Sequence, residues 1–200
     1  MADKGEAGGR ITPGFMSPVE SQRTFRAVLD AMSRPGRIVP AGENLSPPAP
    51  IRAAFGAVCL TLLDFETPIW IDPRDESAVL EWIRFHCGAP LAASSHEAAF
   101  ALITHPGALC PLNRFHPGEE ERPERSATVL VQVAGLGNES GLTLIGPGIE
   151  DTARLSVDGL PSSFRVERIA MEALFPLGLD IIFAADRTMA ALPRTTRIEG

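Results

Sequence analysis

The chain has 200 residues, with 18 basic against 25 acidic side chains and a formal net charge of -7. That balance argues against nucleic acid or an anionic membrane surface as a partner, because a basic face supplies most of the affinity in such complexes. No apolar run approaches the roughly 20 residues needed to cross a bilayer. Cys59, Cys87 and Cys110 are far apart and form no CxxC pair, which points to free buried thiols rather than a disulfide framework or a thiolate metal site.

Lys4 is the only lysine, and the other basic residues are all arginine. If Lys4 lies in a tail, neither a Schiff base with pyridoxal phosphate nor a Walker A loop has its lysine. Arginine remains for bidentate recognition of phosphate or carboxylate.

Residues 1–13 (MADKGEAGGRITP) are small, polar and Gly-rich and lack the pattern of an export signal; the expectation is a disordered tail on a cytoplasmic protein. The densest set of instructions lies in 14–36. Ser17, Pro18 and Glu20 make a helix start with a capping box. Phe25, Val28, Leu29 and Met32 then recur at helical spacing, predicting a stripe that faces the core. Gln22, Arg26 and Ser33 share the flank of that helix, either as an anion or subunit contact or as polar residues bordering the core. Ser33-Arg34-Pro35-Gly36 stops the helix, and Ile38-Val39 begins a strand.

Pro47-Pro48-Ala49-Pro50 reads as a stiff connection. Residues 51–63 are apolar on nearly all sides, as in a helix buried against a sheet, although a buried strand in the second half fits the same pattern. Asp64 starts a turn, either capping it or anchoring an arginine, and 69–71 is a short strand. Residues 75–85 predict a second amphipathic helix with Val79, Trp82 and Ile83 on one face, ending at Gly88 and Pro90. A strand at 100–104 is followed by a break at 105–107. The polar stretch 113–126, with its acidic Pro-rich insert, reads as an exposed loop.

Residues 127–134 give the clearest strand and 142–145 the next. The glycines of 135–141 precede a strand rather than a helix, so they predict a hairpin turn and not a dinucleotide loop. A short strand at 155–157 leads to a helix at 162–174, with Phe164, Ile169 and Leu174 inward and Arg165, Glu167, Arg168 and Glu172 in solvent. The last strands are 179–184 and 189–192. Helices alternating with strands imply α/β architecture, a single three-layer domain over 14–200 with a mixed β-sheet flanked by helices.

The four histidines, His86, His96, His105 and His116, are scattered, and no metal site or catalytic constellation is predicted. Two clusters remain as ligand candidates. Arg84 and His86 end a helix, where a cation also interacts favourably with the helix dipole. Arg194, Thr195 and Thr196 follow the last strand, an arrangement suited to an anion clamp or to edge pairing.

The strings GF-x-x-PV-x-SQ-x-x-FR-x-x-L-x-AMS-x-PG at 14–36, TLLD with TP-x-W at 61–70, RFH-x-GAP at 84–90, SATVLVQV at 126–133, FPLG-x-D at 175–180 and PRTT at 193–196 occur together in this order. On these blocks the chain resembles the H-subunit family of the bacterial carbon-phosphorus lyase system. The resemblance implies a fold similar to the large domain of pyridoxal-phosphate-dependent transferases with the cofactor lost. It further implies a homodimer and a core assembly with the G, I and J subunits in phosphonate catabolism. That assembly forms alpha-D-ribose 1-methylphosphonate 5-triphosphate from ATP and methylphosphonate. The family supplies no catalytic residues to carry over and no cofactor for this subunit, so an accessory role is expected. The alternative is a subunit that binds a phosphorylated ligand through Arg26, Arg84, His86, Arg194, Thr195 and Thr196.

Overall fold

The computed structural model describes residues 11–72 and 77–199. The helix α1 (Pro18–Ser33) begins as its sequence dictates: Ser17 and Glu20 close a capping box and Pro18 occupies the first turn. It leads to the two-residue edge strand β1 (Val39–Pro40). The apolar segment that follows is the helix α2 (Ala53–Leu62), seven of whose residues are buried; near-complete burial explains why it carries no amphipathic pattern. The strand β2 (Ile69–Ile71), helix α3 (Ser77–Cys87) and strand β3 (Phe100–Ile103) come next.

After three short 3-10 turns, at Pro106–Ala108, Leu112–Arg114 and Pro123–Arg125, the chain enters β4 (Thr128–Gln132). It continues through β5 (Leu136–Ile145), β6 (Ala153–Val157) and helix α4 (Phe164–Glu172) to β7 (Asp180–Ala185), β8 (Thr188–Leu192) and β9 (Arg197–Glu199).

The main sheet has six strands in the order β1-β8-β7-β4-β3-β2. Neighbours among β2, β3, β4 and β7 are parallel, while β8 runs antiparallel to both β7 and β1. The sheet is therefore mixed, as expected. Alternation along its strands separates two cores. Leu102, Leu130 and Ile182 point toward α1, α2 and α3, with Trp82, Ile83 and Phe55. Val129, Val131, Ile181 and Phe183 point the other way, onto Phe164 and Met171 of α4 and onto Leu144, Leu155 and Ile198 of a three-stranded antiparallel sheet in the order β6-β5-β9. Three layers result, with the second small sheet as an addition that sequence reading did not foresee.

Several expectations are corrected. In α1 the buried residues are Thr24, Val28 and Ala31, whereas Phe25 and Leu29 are 47% and 52% exposed. The buried face is rotated toward smaller side chains, which let α1 lie close on α2 and β8, and Thr24 satisfies its hydroxyl on the Glu20 carbonyl at 3.0 Å. At α4, Phe164 is buried and Arg165 exposed as expected, but Arg168 is buried while Ile169 and Leu174 are 38% and 43% exposed, against the reading of those three residues. The glycines at 135–141 do not form a hairpin turn; Gly135 directly precedes β5, and Gly137 and Gly141 lie within it, where the ladder to β6 is irregular between Gly137 and Leu142. A Cβ at Gly141, whose φ is +97, would meet the Leu155 carbonyl at 2.4 Å, so glycine here permits close pairing and the positive φ. The loop 113–126 is exposed over Glu119–Arg122 but anchored by wholly buried Leu112 and Phe115.

Residues 1–10 of the expected tail lie outside the described residues. At Thr12 the carbonyl accepts hydrogen bonds from Trp82 Nε1 at 2.8 Å and His86 Nε2 at 3.0 Å. No helix among the described residues is long and apolar enough to cross a membrane.

Candidate functional site

A cleft of about 690 Å³ opens between α1 and the segment 37–45 that carries the edge strand β1. Small-molecule sites have this size. Its apolar wall includes Phe15, Ala27, Ile38, Val39 and Leu45, and its rim carries Arg23, Arg26, Arg37 and Arg187 against Glu20, Asp30 and Glu43.

The rim acids are mostly engaged. Glu20 Oε2 accepts the backbone N–H groups of Met16 at 2.7 Å and Ser17 at 3.1 Å, and its Oε1 accepts from Asn44 at 3.1 Å. The Asn44 amide first, then the Met16 N–H, hold this carboxyl below its usual value. Asp30 pairs with Arg37 at 3.2 Å and closely with Arg34. Arg187 reaches over from the β7–β8 turn and donates through one terminal nitrogen to the carbonyls of Gly42, at 2.7 Å, and Glu43. Gly42 is fixed as glycine: with φ +71, a Cβ would sit 2.3 Å from the Ala53 carbonyl oxygen. Arg23 and Arg26 are exposed, and neither has a hydrogen-bond acceptor among the described residues.

The six sequence candidates do not converge on one point. Arg26 alone lines the cleft. His86 lies behind its wall, where a Cβ on Gly14 would come within 3.0 Å of Nδ1. Its ring packs edge-on against Trp82 and Phe85, both at 4.9 Å. The contact to the Thr12 carbonyl requires the proton on Nε2, so His86 fastens residues 12–14, which lead into α1. Arg84 is exposed in the last turn of α3.

Arg194, Thr195 and Thr196 lie on the turn between β8 and β9. The Arg194 guanidinium pairs with Asp180 at 2.7 Å and also donates to the Pro123 carbonyl. Its backbone N–H binds the same Asp180 at 2.8 Å. Thr196 is buried and presents its carbonyl to Arg168 at 2.8 Å, while Thr195 is exposed. This turn is held from both sides by arginine contacts to protein groups.

Sequence reading missed Arg23, Arg37, Arg168 and Arg187. Arg23 had a signal, lying three residues before Arg26 on the same helix, whereas Arg187 is brought to the cleft only by the β7–β8 turn. Asp64 resolves as a turn cap, accepting from Glu66 N at 2.9 Å and Thr67 Oγ1 at 2.6 Å. Burial pushes Cys87 up to about 11, and Cys59 well above its ordinary value; such thiols are poor nucleophiles. Among the described residues no group of three or more His, Cys, Asp or Glu is placed to hold a metal. The described residues contain no lysine, so they do not fit pyridoxal phosphate held as an aldimine.

Comparison with known proteins covers nearly the whole chain. It is 39% identical over 189 residues to alpha-D-ribose 1-methylphosphonate 5-triphosphate synthase subunit PhnH of Rhizobium meliloti (strain 1021), a match spanning 92% of this chain and 94% of that protein. It is 33% identical over 177 residues to the putative C-P lyase subunit protein HtxG of Stutzerimonas stutzeri, spanning 88% and 85%. A family model described as bacterial phosphonate metabolism protein (PhnH) matches residues 13–199. The two arginine-held ends of the fold, α1 with its cleft and the Pro193–Thr196 turn, both fall inside that match, and the chain belongs to the bacterial phosphonate metabolism protein (PhnH) family.

Proposed function

We propose that this chain is an accessory subunit of the carbon-phosphorus lyase core complex. With its partner subunits it supports formation of alpha-D-ribose 1-methylphosphonate 5-triphosphate from ATP and methylphosphonate. The observation that carries this reading is the 39% identity across 92% of the chain to a protein named as a subunit of that synthase. In this reading residues 14–200 act as one domain of a cytoplasmic homodimer that assembles with the G, I and J subunits. The fold is similar to the large domain of pyridoxal-phosphate-dependent transferases without their cofactor chemistry.

The chain acts by contact. Exposed apolar side chains, Phe25 and Leu29 on α1 and Val166 and Phe175 at α4, supply area of the kind that subunit interfaces cover. The test is adenine release from ATP in the presence of methylphosphonate, measured with the purified chain, with the partner subunits, and with all together. Release is expected only when this chain and its partners are combined. Release by the chain alone would refute an accessory role, and full release by the partners without it would refute a role in this step.

A further inference from the structure

The cleft beside α1 has an imbalance that the rest of the surface does not explain. The protein as a whole is acidic, with a formal net charge of -7, yet this cleft gathers four arginines against three acids. The imbalance grows when committed groups are set aside. Both Glu20 oxygens are occupied by backbone N–H groups and Asn44. Asp30 is shared by Arg34 and Arg37. Glu43 is then the one rim carboxylate without a hydrogen-bond donor among the described residues, whereas Arg23 and Arg26 both lack hydrogen-bond acceptors there, Arg23 feeling only the charge of Glu20. Arg187 has spent a single terminal nitrogen on the Gly42 and Glu43 carbonyls, leaving its other donors unassigned.

Two guanidiniums at i and i+3, neither hydrogen-bonded to a protein acceptor among the described residues, stand on the same helix flank, and a third, with donors to spare, lines the same cleft from the β7–β8 turn. Planar, forked donors of this kind match phosphate and carboxylate oxygens. The α1 N-terminus does not contribute, because its capping box is already closed. Below the arginines the wall is apolar, formed by Phe15, Ala27, Ile38 and Leu45. A bare inorganic anion would leave that wall uncovered, and a neutral apolar molecule would leave the guanidiniums unpaired.

We infer that this cleft binds a phosphorylated small molecule with a planar or apolar body, of the nucleotide class, with Arg23 and Arg26 holding the phosphate and the Phe15–Leu45 wall holding the body. The inference stands on the cleft alone and does not depend on whether the chain joins a larger assembly.

The test is calorimetric titration of the full-length protein at low salt with AMP and ATP as probes, and with adenosine and inorganic tripolyphosphate as their separate halves. Saturable binding of AMP or ATP is expected, with adenosine and tripolyphosphate each weaker by roughly tenfold or more, since each engages one half of the site. The double variant R23A/R26A should weaken nucleotide binding at least about tenfold, the scale of losing one charge-assisted hydrogen bond. Its melting temperature should stay within about 2 °C, because both side chains are exposed and make no hydrogen bond to the protein among the described residues. Arg165→Ala on α4, outside the cleft, should bind as the parent does. If neither AMP nor ATP binds up to millimolar concentration, or if R23A/R26A binds them unchanged, the inference is overturned.

Discussion

Replacing Arg168 by methionine tests the reading of the Pro193–Thr196 turn most sharply. Arg168 is 1% exposed, and one terminal nitrogen donates to the Pro193 carbonyl at 2.7 Å and the Thr196 carbonyl at 2.8 Å. Pro193 also accepts the Thr196 N–H at 2.9 Å, so the same oxygen closes the turn and receives the guanidinium. Burial pulls the Arg168 pKa below its ordinary value, opposed by the charges of Glu172 and Asp180, but an arginine stays protonated across any practical pH range. Hydrogen bonds from a charged donor contribute about 1.5–3 kcal/mol each. The buried Nε has no acceptor, which offsets part of that gain.

Methionine keeps most of the apolar stem and removes both bonds, leaving the Pro193 carbonyl with only the Thr196 N–H and taking the guanidinium donor from the Thr196 carbonyl, so the expected loss is about 3–5 kcal/mol. For a chain of this size each kcal/mol moves the midpoint by about 2–4 °C, which gives a fall of roughly 6–20 °C. Arg168→Lys retains the charge and a single donor nitrogen but on a shorter stem that reaches the two carbonyls less well, and it should lose about half as much. Thermal unfolding followed by circular dichroism measures both. A methionine variant melting within about 2 °C of the parent would show that the turn holds itself, and the argument for a clamp would fail.

Gln132 joins the ends of β3 and β4 to the chain entering α2. Its side chain accepts from Arg52 N at 2.7 Å and donates to the Pro50 and Thr104 carbonyls, both at 3.0 Å. Gln132→Leu should therefore cost about 2–4 kcal/mol, read as a lower urea midpoint. Arg194→Ala should lower stability by about 1–2 kcal/mol through the lost Asp180 pair, while leaving nucleotide affinity unchanged; a variant that kept its stability and lost affinity would restore Arg194 as an anion clamp. Cys87 predicts a specific alkaline slope. Burial raises the folded thiol from 9.0 to about 11, so the stability tied to its protonated form is complete below about pH 9 and is lost as pH rises toward 11. Cys87→Ser should flatten that loss, measured as urea midpoints at pH 8 and pH 10.5; an equal slope in both proteins would count against the burial argument.

Local rules made the α1 start legible, because Ser17, Pro18 and Glu20 state a cap in four residues. The strands of the main sheet were legible too, since runs such as Val129–Val131 buried on both sides have few other homes. The rotation of α1 was not. Phe25 and Leu29 fit the periodicity better than Thr24 and Ala31, and only the packing distance to α2 and β8 selects the smaller face. Arg168 was misplaced for a related reason: helical spacing cannot distinguish a solvated arginine from one whose acceptors lie 25 and 28 residues away in sequence. The cleft is equally non-local. Arg26 was visible on the α1 flank, but Arg187 joins it only because β1 pairs with β8, which sets the β7–β8 turn beside the segment 41–43. The Pro193–Thr196 string suggested an anion site by composition, yet Asp180 and the Pro123 carbonyl, distant in sequence, already occupy its arginine.

The most direct test of the accessory-subunit account is co-expression of this chain with the G, I and J subunits of the same system, followed by the native mass of the purified assembly. The account predicts that the chain is retained at fixed stoichiometry in one complex with those subunits. A chain that elutes alone while the other three assemble without it would contradict the account.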